Sequence, residues 1–279
     1  MFRCSSDQSG EEGDKLDKEI FSDIECYLNQ REGEYALYFK DLDQDLTFTI
    51  NEDLMFPAAS VIKIPIMCEL YRQVEADQIN KEQLLNVGDN IRVGGAGILH
   101  ELHSGIELSY KDLVLMMITL SDNTATNLLI DELGMENINR YLASYGFNTR
   151  LKRKMMDFAA RKKGKENITS PREIGQLLED IYKKQLKGIS IENAIEIFDI
   201  LSKQTIRDKM SFYIPEEKWN RVASKTGTLD KIEHDASIFA LNDFNYILVI
   251  FSRDLPTNAY GNITIARVSQ LIYKFYCDI

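Results

Sequence analysis

The spacing of apolar and polar positions changes several times along the chain, and each change marks a predicted element. Leu16, Ile20, Ile24 and Tyr27 recur at helical spacing between Leu16 and Gln30. Tyr35–Phe39 and Leu46–Ile50 are short apolar and aromatic runs separated by the Asp-rich segment Asp41–Asp45, which predicts a β-hairpin. From Val61 to about residue 205 the chain reads as largely helical. After Val61–Tyr71 the candidate helices cover 109–120, 124–133, 136–145, 171–186 and 190–203, with Asn123, Ser170 and Ser190 as candidate N-caps and Pro171 at a first helical position. Strands return at 221–227, 236–242 and 246–252. Tyr246–Phe251 is unbroken apolar sequence, as a strand buried on both faces requires. A last helix over 259–276 places Ile265, Val268, Ile272 and Phe275 on one stripe.

Helix and strands at both ends, with a helical block between them, predict a mixed α/β (α+β) fold. The expectation is a five-stranded antiparallel sheet flanked by the terminal helices, an all-α lobe, and a cleft where the two meet. Residues 15–60 and 210–279 would form a discontinuous α/β domain and 61–209 the lobe. Residues 1–14, dominated by Ser, Asp, Glu and Gly, read as a disordered tail, and the basic stretch Arg150–Lys165 as a solvated loop.

Composition narrows the function. With 44% hydrophobic and 28% charged residues in 279, the chain has material for a full core. A net charge of −11 repels a phosphate backbone, and no basic block is rich in aromatics, so nucleic acid is excluded as a partner. A local cationic pocket for a small anion is still allowed. Cys4, Cys26, Cys68 and Cys277 are scattered without C-x-x-C spacing and read as reduced, structural thiols. No metal or other cofactor is implied. The polar N-terminus lacks the apolar region of a secretory signal, and no apolar run approaches the roughly 20 residues of a membrane span. As written the chain reads as cytoplasmic, unless a leader has been removed. A monomer acting on a small molecule is expected.

The chemistry lies in three short motifs: Ser60-Val-Ile-Lys63, Ser121-Asp-Asn123 and Lys225-Thr-Gly227. A lone S-x-x-K is uninformative; all three in this order and in these contexts are specific. One turn apart on a helix, Ser60 and Lys63 share a face. A serine hydroxyl needs a base to become a nucleophile, and Lys63 can supply it if burial and the nearby cation Lys225 lower its pKa. Lys225 and Thr226 offer a cation and a hydroxyl to a substrate carboxylate, and Gly227 permits close approach of substrate to backbone. Asn123 can hold a substrate amide or cap a helix.

These motifs, with the longer stretches Phe56–Met67 and Ser121–Ile130, resemble the class A β-lactamase and penicillin-binding protein superfamily from about residue 20 to the C-terminus. The resemblance implies a β-lactamase/transpeptidase-like fold and a penicillin-recognising serine hydrolase. It further implies Ser60 as nucleophile, Ser121 as proton relay to the departing nitrogen, and the backbone N–H groups of Ser60 and Thr228 as oxyanion hole.

The pattern breaks in one place. Class A enzymes carry a glutamate on an omega-shaped loop that activates the deacylating water. The corresponding stretch, Thr149–Phe158, puts Met155 or a neighbour there, and a thioether accepts no proton. Asp157 is the candidate substitute base; otherwise the stretch is a packed loop with Met155 and Met156 as filler. Some family members also use an arginine for the carboxylate. His234, followed by Asp235, lies near that point and is a candidate anion-binding residue or a structural hydrogen-bonding one. His100 and His103 read as surface or cleft-edge residues. The sequence thus predicts an acyl-serine enzyme on β-lactams or related amides, slow to deacylate. A penicillin-binding or DD-peptidase-like protein, a β-lactam sensor and an intracellular amidase or esterase are the alternatives.

Overall fold

The computed structural model describes residues 8–44, 46–241 and 244–277. Helix α1 (Gln8–Asn29) leads into the hairpin β1 (Glu34–Asp41) and β2 (Thr47–Ile50), followed by the short β3 (Phe56–Pro57) and α2 (Lys63–Glu75). The central block holds β4 (Leu84–Asn86), β5 (Glu107–Ser109), α3 (Tyr110–Thr119), α4 (Asn123–Leu133), α5 (Met135–Ser144), α6 (Phe158–Lys162), β6 (Ile168–Thr169), α7 (Pro171–Lys183) and α8 (Ile191–Ser202). The chain then returns through β7 (Val222–Leu229), β8 (Ile232–Leu241) and β9 (Phe244–Arg253) to α9 (Asn258–Cys277).

Five strands form one antiparallel sheet in the order β2-β1-β9-β8-β7. Period-two alternation assigns each strand's residues to two cores. Ala36 and Tyr38 of β1, with Ile247, Val249 and Phe251 of β9, face the helical block and join Ile62, Ile66, Leu113 and Leu177. Leu37 and Phe39, with Tyr246, Leu248 and Ile250, face the other way onto Phe21 and Ile24 of α1 and Ile265 and Val268 of α9. A sheet covered on both faces explains why β9 shows no polar alternation. Gly175 of α7 lets that helix lie directly on the sheet: a Cβ there would sit 2.2 Å from a Tyr38 ring carbon.

Several expectations shift. Helix α1 begins at Gln8, inside the stretch expected to be a disordered tail, because Glu, Asp and Lys are compatible with helix; residues 1–7 of that stretch lie outside the described residues. The block expected to be all-α contains small antiparallel pairs, β4 with β5, and β6 with β3. Ser170 and Ser190 cap α7 and α8 as expected, but the cap of α4 is Asp122, one residue before Asn123. Cys26, Cys68 and Cys277 are free thiols, and Cys4 lies outside the described residues. No helix among the described residues is long and apolar enough to cross a membrane.

Candidate active site

Ser60 lies in a 3-10 turn, Ala59–Ile62, that runs straight into α2. The turn is entered through Ala59 at φ +45, a left-handed conformation costly for a residue with a Cβ. Packing holds it there. A Cβ on Gly227 would approach the Ala59 Cβ and a Val61 methyl to 3.1 Å and the Ser60 nitrogen to 3.3 Å. The glycine of the third motif is therefore required by the packing of the Ser60 segment itself. Ser60 and Thr228 line the same cleft, with Asn123, Arg153, Met155, Met156 and Asn167. The N–H groups expected to form an oxyanion hole thus belong to residues that border one space.

Behind Ser60 lies a polar cluster closed to solvent. Lys63 is fully buried, and its Nζ donates to Ser121 O at 2.7 Å, Ser121 Oγ at 3.1 Å and Asn123 Oδ1 at 3.0 Å. Lys225, equally buried, donates to the same Ser121 Oγ at 3.2 Å and to Thr226 O at 2.9 Å. Ser121 presents both its oxygens because its own backbone is left-handed, at φ +55. Burial pulls the Lys63 ammonium down to about 7, against the field of Asp122, which favours the charge. Burial also holds Lys225 well below its ordinary value, helped by repulsion from Lys63 and Lys209. Near neutral pH, Lys63 therefore has an accessible neutral form with a lone pair, as a proton acceptor needs.

Asp122 frames this cluster. One oxygen caps α4 by accepting from Ala125 N at 2.9 Å; the other accepts from the N–H groups of Ile98 and Leu99, both at 2.8 Å. The cleft's far rim is thereby tied to the second motif. Asn123 lines the cleft, but its amide is engaged at both ends, by Lys63 and by Gly94 O at 3.1 Å.

The loop wall carries no acid. Met155 lines the cleft at 7% exposure, and its backbone is clamped by the Asn127 amide, which accepts from Met155 N at 2.7 Å and donates to Met155 O at 3.1 Å. Asp157 is not a cleft residue. It caps α6 by accepting from Ala160 N at 2.8 Å, which commits one of its oxygens to its own short helix. An acid of the same loop that sequence reasoning missed is Glu166. It pairs with Arg153 at 2.6 Å and Arg161 at 2.8 Å, closing the neck of the loop, and both its oxygens are taken.

His234, a candidate for anion binding or for structural hydrogen bonding, makes the structural bonds. It is fully buried away from the cleft lining, against Phe56 and Phe251. Its Nε2 lies 2.8 Å from Pro57 O, and its Nδ1 lies 2.8 Å from Glu233 O and 3.2 Å from Ser252 N. Burial lowers its pKa to about 4, so the ring is neutral. Its place is behind the nucleophile segment, holding Pro57 to the sheet. A second missed residue, Lys209, lies behind Thr228. Its Nζ reaches Gly227 O at 3.2 Å, Thr228 Oγ1 at 3.1 Å and His234 O at 3.2 Å, and pairs with Glu233 at 2.5 Å. Nothing in the sequence distinguishes it from Arg207, Lys218 and Arg221 in the same stretch before β7. Among the described residues no group of His, Cys, Asp and Glu is arranged to hold a metal ion.

The chain's similarities agree with this geometry. The sequence pattern of the β-lactamase enzyme family matches residues 18–276. The β-lactamase VEB-1 of Pseudomonas aeruginosa is 20% identical over 270 residues, covering 91% of this chain and 89% of that protein. A β-lactamase from Sphaerobacter thermophilus superposes with a TM-score of 0.86 at 28% identity, over 93% of this chain and 98% of the other. PBP-A superposes at 0.82 and 24% identity, over 95% and 97%.

Proposed function

Because the chain belongs to the β-lactamase enzyme family, we propose that it is an acyl-serine hydrolase whose Ser60 is acylated by β-lactams or related amides and released slowly. The observation that carries this reading is the Ser121 hydroxyl shared between two fully buried lysines beside the Ser60 cleft. Neutral Lys63 takes the Ser60 proton as Oγ attacks the carbonyl. The oxyanion is held by the N–H groups of Ser60 and Thr228, where preorganised donors are worth about 2.7–4 kcal/mol each. Ser121 then accepts the proton from Lys63 and passes its own to the departing nitrogen. Lys225 keeps the relay hydroxyl oriented and adds positive potential to a substrate carboxylate.

Deacylation lacks a dedicated base, because Met155 occupies the wall where a carboxylate would activate water and Asp157 and Glu166 are engaged elsewhere. That favours a penicillin-binding, peptidase-like protein over an efficient β-lactamase. An engineered variant of the similar PBP-A is known as an acyl-enzyme complex with penicillin G. Intact-mass spectrometry with benzylpenicillin tests the reading. An adduct that forms on wild type, persists, and is missing from Ser60→Ala is expected. Rapid penicillin loss without adduct would refute slow release, and equal labelling of Ser60→Ala would refute the nucleophile.

A further inference from the structure

The loop that walls the cleft carries a charge opposite to that of the chain. Of the 17 residues from Arg150 to Glu166, eight are Arg or Lys and two are acids, in a protein of net charge −11. Half of these cations have partners within the fold. Arg153 and Arg161 share Glu166, Lys154 pairs with Asp131 at 2.5 Å, and Arg150 donates to Phe147 O at 2.6 Å and Thr149 O at 2.7 Å. Lys152, Lys162, Lys163 and Lys165 are exposed, and among the described residues none of the four has an ion-pair or side-chain hydrogen-bond partner.

Folding gathers these four lysines on one compact loop. At its neck Arg150 and Ile168 exchange backbone hydrogen bonds at 3.0 and 3.1 Å, and Asn167 Oδ1 accepts from Lys152 N at 2.7 Å. Lys152 therefore lies beside the segment that follows Lys165. Gly164, at φ +76, turns the chain after α6, and Lys165 N donates back to Ala160 O at 3.1 Å, which keeps Lys165 against the helix that carries Lys162. The same loop lines the cleft through Arg153, Met155, Met156, Phe158 and Arg161; Phe158 is 56% exposed, so the wall continues onto the outer surface. A chain leaving the Ser60 cleft along it crosses an apolar stretch first and unneutralised ammonium groups beyond. Ser121 and Lys225 serve the departing nitrogen and its carboxylate, so the acyl half of a donor is the half left to this wall.

We propose that this loop is the docking surface for an acidic peptide: the acyl half of the donor lies on Met155, Met156 and Phe158, and carboxylates farther along that peptide meet Lys152, Lys162, Lys163 and Lys165. This rests on the acyl-serine reading and names its substrate class as amides carried on carboxylate-rich peptides. Four separate ammonium groups on two sides of the loop suit several carboxylates along one chain better than a single compact anion. An anionic bilayer would also have to approach the acidic remainder of the surface, whereas one extended peptide touches only the loop.

Ampicillin extended at its free amine with a short run of glutamates, or with an equal run of glutamines, gives two acyl donors that differ only in charge on the acyl side. Second-order acylation rates of both would be measured by intact mass, at low salt and at about 0.5 M NaCl. The proteins are wild type, a loop variant combining Lys152→Gln, Lys162→Gln, Lys163→Gln and Lys165→Gln, and a control that changes the exposed Lys183, Lys184, Lys203 and Lys274 to Gln. Wild type and control are expected to take the glutamate donor about tenfold faster at low salt, with the preference lost at high salt. The loop variant is expected to show no preference, its rate on the glutamine donor unchanged. A wild type without preference, or a preference that the loop variant keeps, overturns the proposal. Failure of wild type to be labelled by either donor would remove the acyl-serine reading, and with it the donor's place on the wall. Anisotropy of fluorescein-labelled hexaglutamate with Ser60→Ala needs no acylation and tells the two failures apart. Saturable binding, weakened at least about tenfold by the four loop substitutions, is expected; no binding, or binding that those substitutions leave unchanged, overturns the docking surface by itself. Sedimentation with phosphatidylglycerol vesicles in place of hexaglutamate binding would assign the lysines to a membrane and overturn it as well.

Discussion

Replacing Met155 with glutamate should convert slow release into turnover, and the structure sets the scale. The Met155 backbone is pinned by both ends of the Asn127 amide, so a new side chain at 155 leaves the main chain along the same direction, into the cleft that Ser60 borders. Glutamate matches methionine in length, so the wall is not overpacked. The two nearby guanidinium groups, Arg153 and Arg161, are already held by Glu166 and leave the new carboxylate free to meet water. Partial burial would raise its pKa towards neutrality, where a general base works best and contributes about 10²–10⁴-fold. Burying the acid should cost about 1–3 kcal/mol of stability, a drop in melting temperature of roughly 3–10 °C for a chain of this size. The assay is to acylate Met155→Glu with benzylpenicillin, remove the excess, and follow adduct loss by intact mass. A half-life at least about 100-fold shorter than wild type is expected, with acylation unchanged within about threefold. An adduct as persistent as in wild type, on a protein that still melts cooperatively and acylates normally, would refute the placement of residue 155 as the missing base.

Lys63→Met should slow acylation by about 10³-fold or more while raising thermal stability, because a buried ammonium is costly to hold. The pH dependence has a definite sign. Burial lowers Lys63 from 10.5 in the unfolded chain to about 7, so between those values the unfolded state binds the extra proton and wild-type stability rises with pH; below about 7 the full cost remains. Melting curves of wild type and Lys63→Met at pH 6 and pH 9 should converge as pH rises, and a constant gap would contradict this. Over the same range the wild-type acylation rate should climb through about pH 7 as the neutral amine appears; a flat profile from pH 5 to 9 would remove Lys63 as the base. His234→Leu should lower acylation per titrated active site by about 10–100-fold, because Pro57 loses its tie to the sheet, whereas His234→Gln keeps a donor and should recover most of the rate. A loss confined to the active fraction, with the per-site rate intact, would show His234 to be structural only. Asp122→Ala removes a helix cap and the partner of two loop N–H groups, and should cost about 2–4 kcal/mol in urea denaturation; less than about 1 kcal/mol would refute that account.

The elements and the three motifs of the candidate site were legible because both are encoded locally. Period-two and period-3.6 patterning fixed the strands and helices, and the continuous run in β9 announced a sheet covered on both faces. Ser60, Lys63, Ser121 and Lys225 were readable as a set because their spacing within motifs is a matter of one helical turn or one tight bend. Less legible were the surroundings of side chains outside the three motifs. Asp157 and His234 have the right chemistry for a base and an anion ligand, but their neighbours are Ala160 N and Pro57 O, one too near to notice and the other far upstream. Glu233, Lys209, Glu166 and Asn127 carry no local signature, because their roles exist only once β8, the pre-β7 segment, the loop neck and α4 are packed. Asn123 failed by a single residue, since Asp and Asn are nearly equal as caps and only the turn geometry at Ser121 decides between them.

The two halves of the proposed reaction are supported by different kinds of structure, which explains why one can be intact while the other is lost. Acylation depends on groups carried by α2, the Ser121 bend and β7, each packed into the core and each holding a strained or buried residue that only a rigid surround can maintain: Ala59 and Ser121 at positive φ, Lys63 and Lys225 without solvent. Changing any of these disturbs the packing of the others, so the set persists together or fails together. Deacylation depends on one side chain in a loop whose own integrity comes from the Glu166 neck and the Asn127 clamp, neither of which touches the side chain of residue 155. That position can change between methionine and glutamate at a cost of about 1–3 kcal/mol, with the loop's own ties left in place. A site built this way can pass between acyl-enzyme formation and full turnover by a single substitution at position 155.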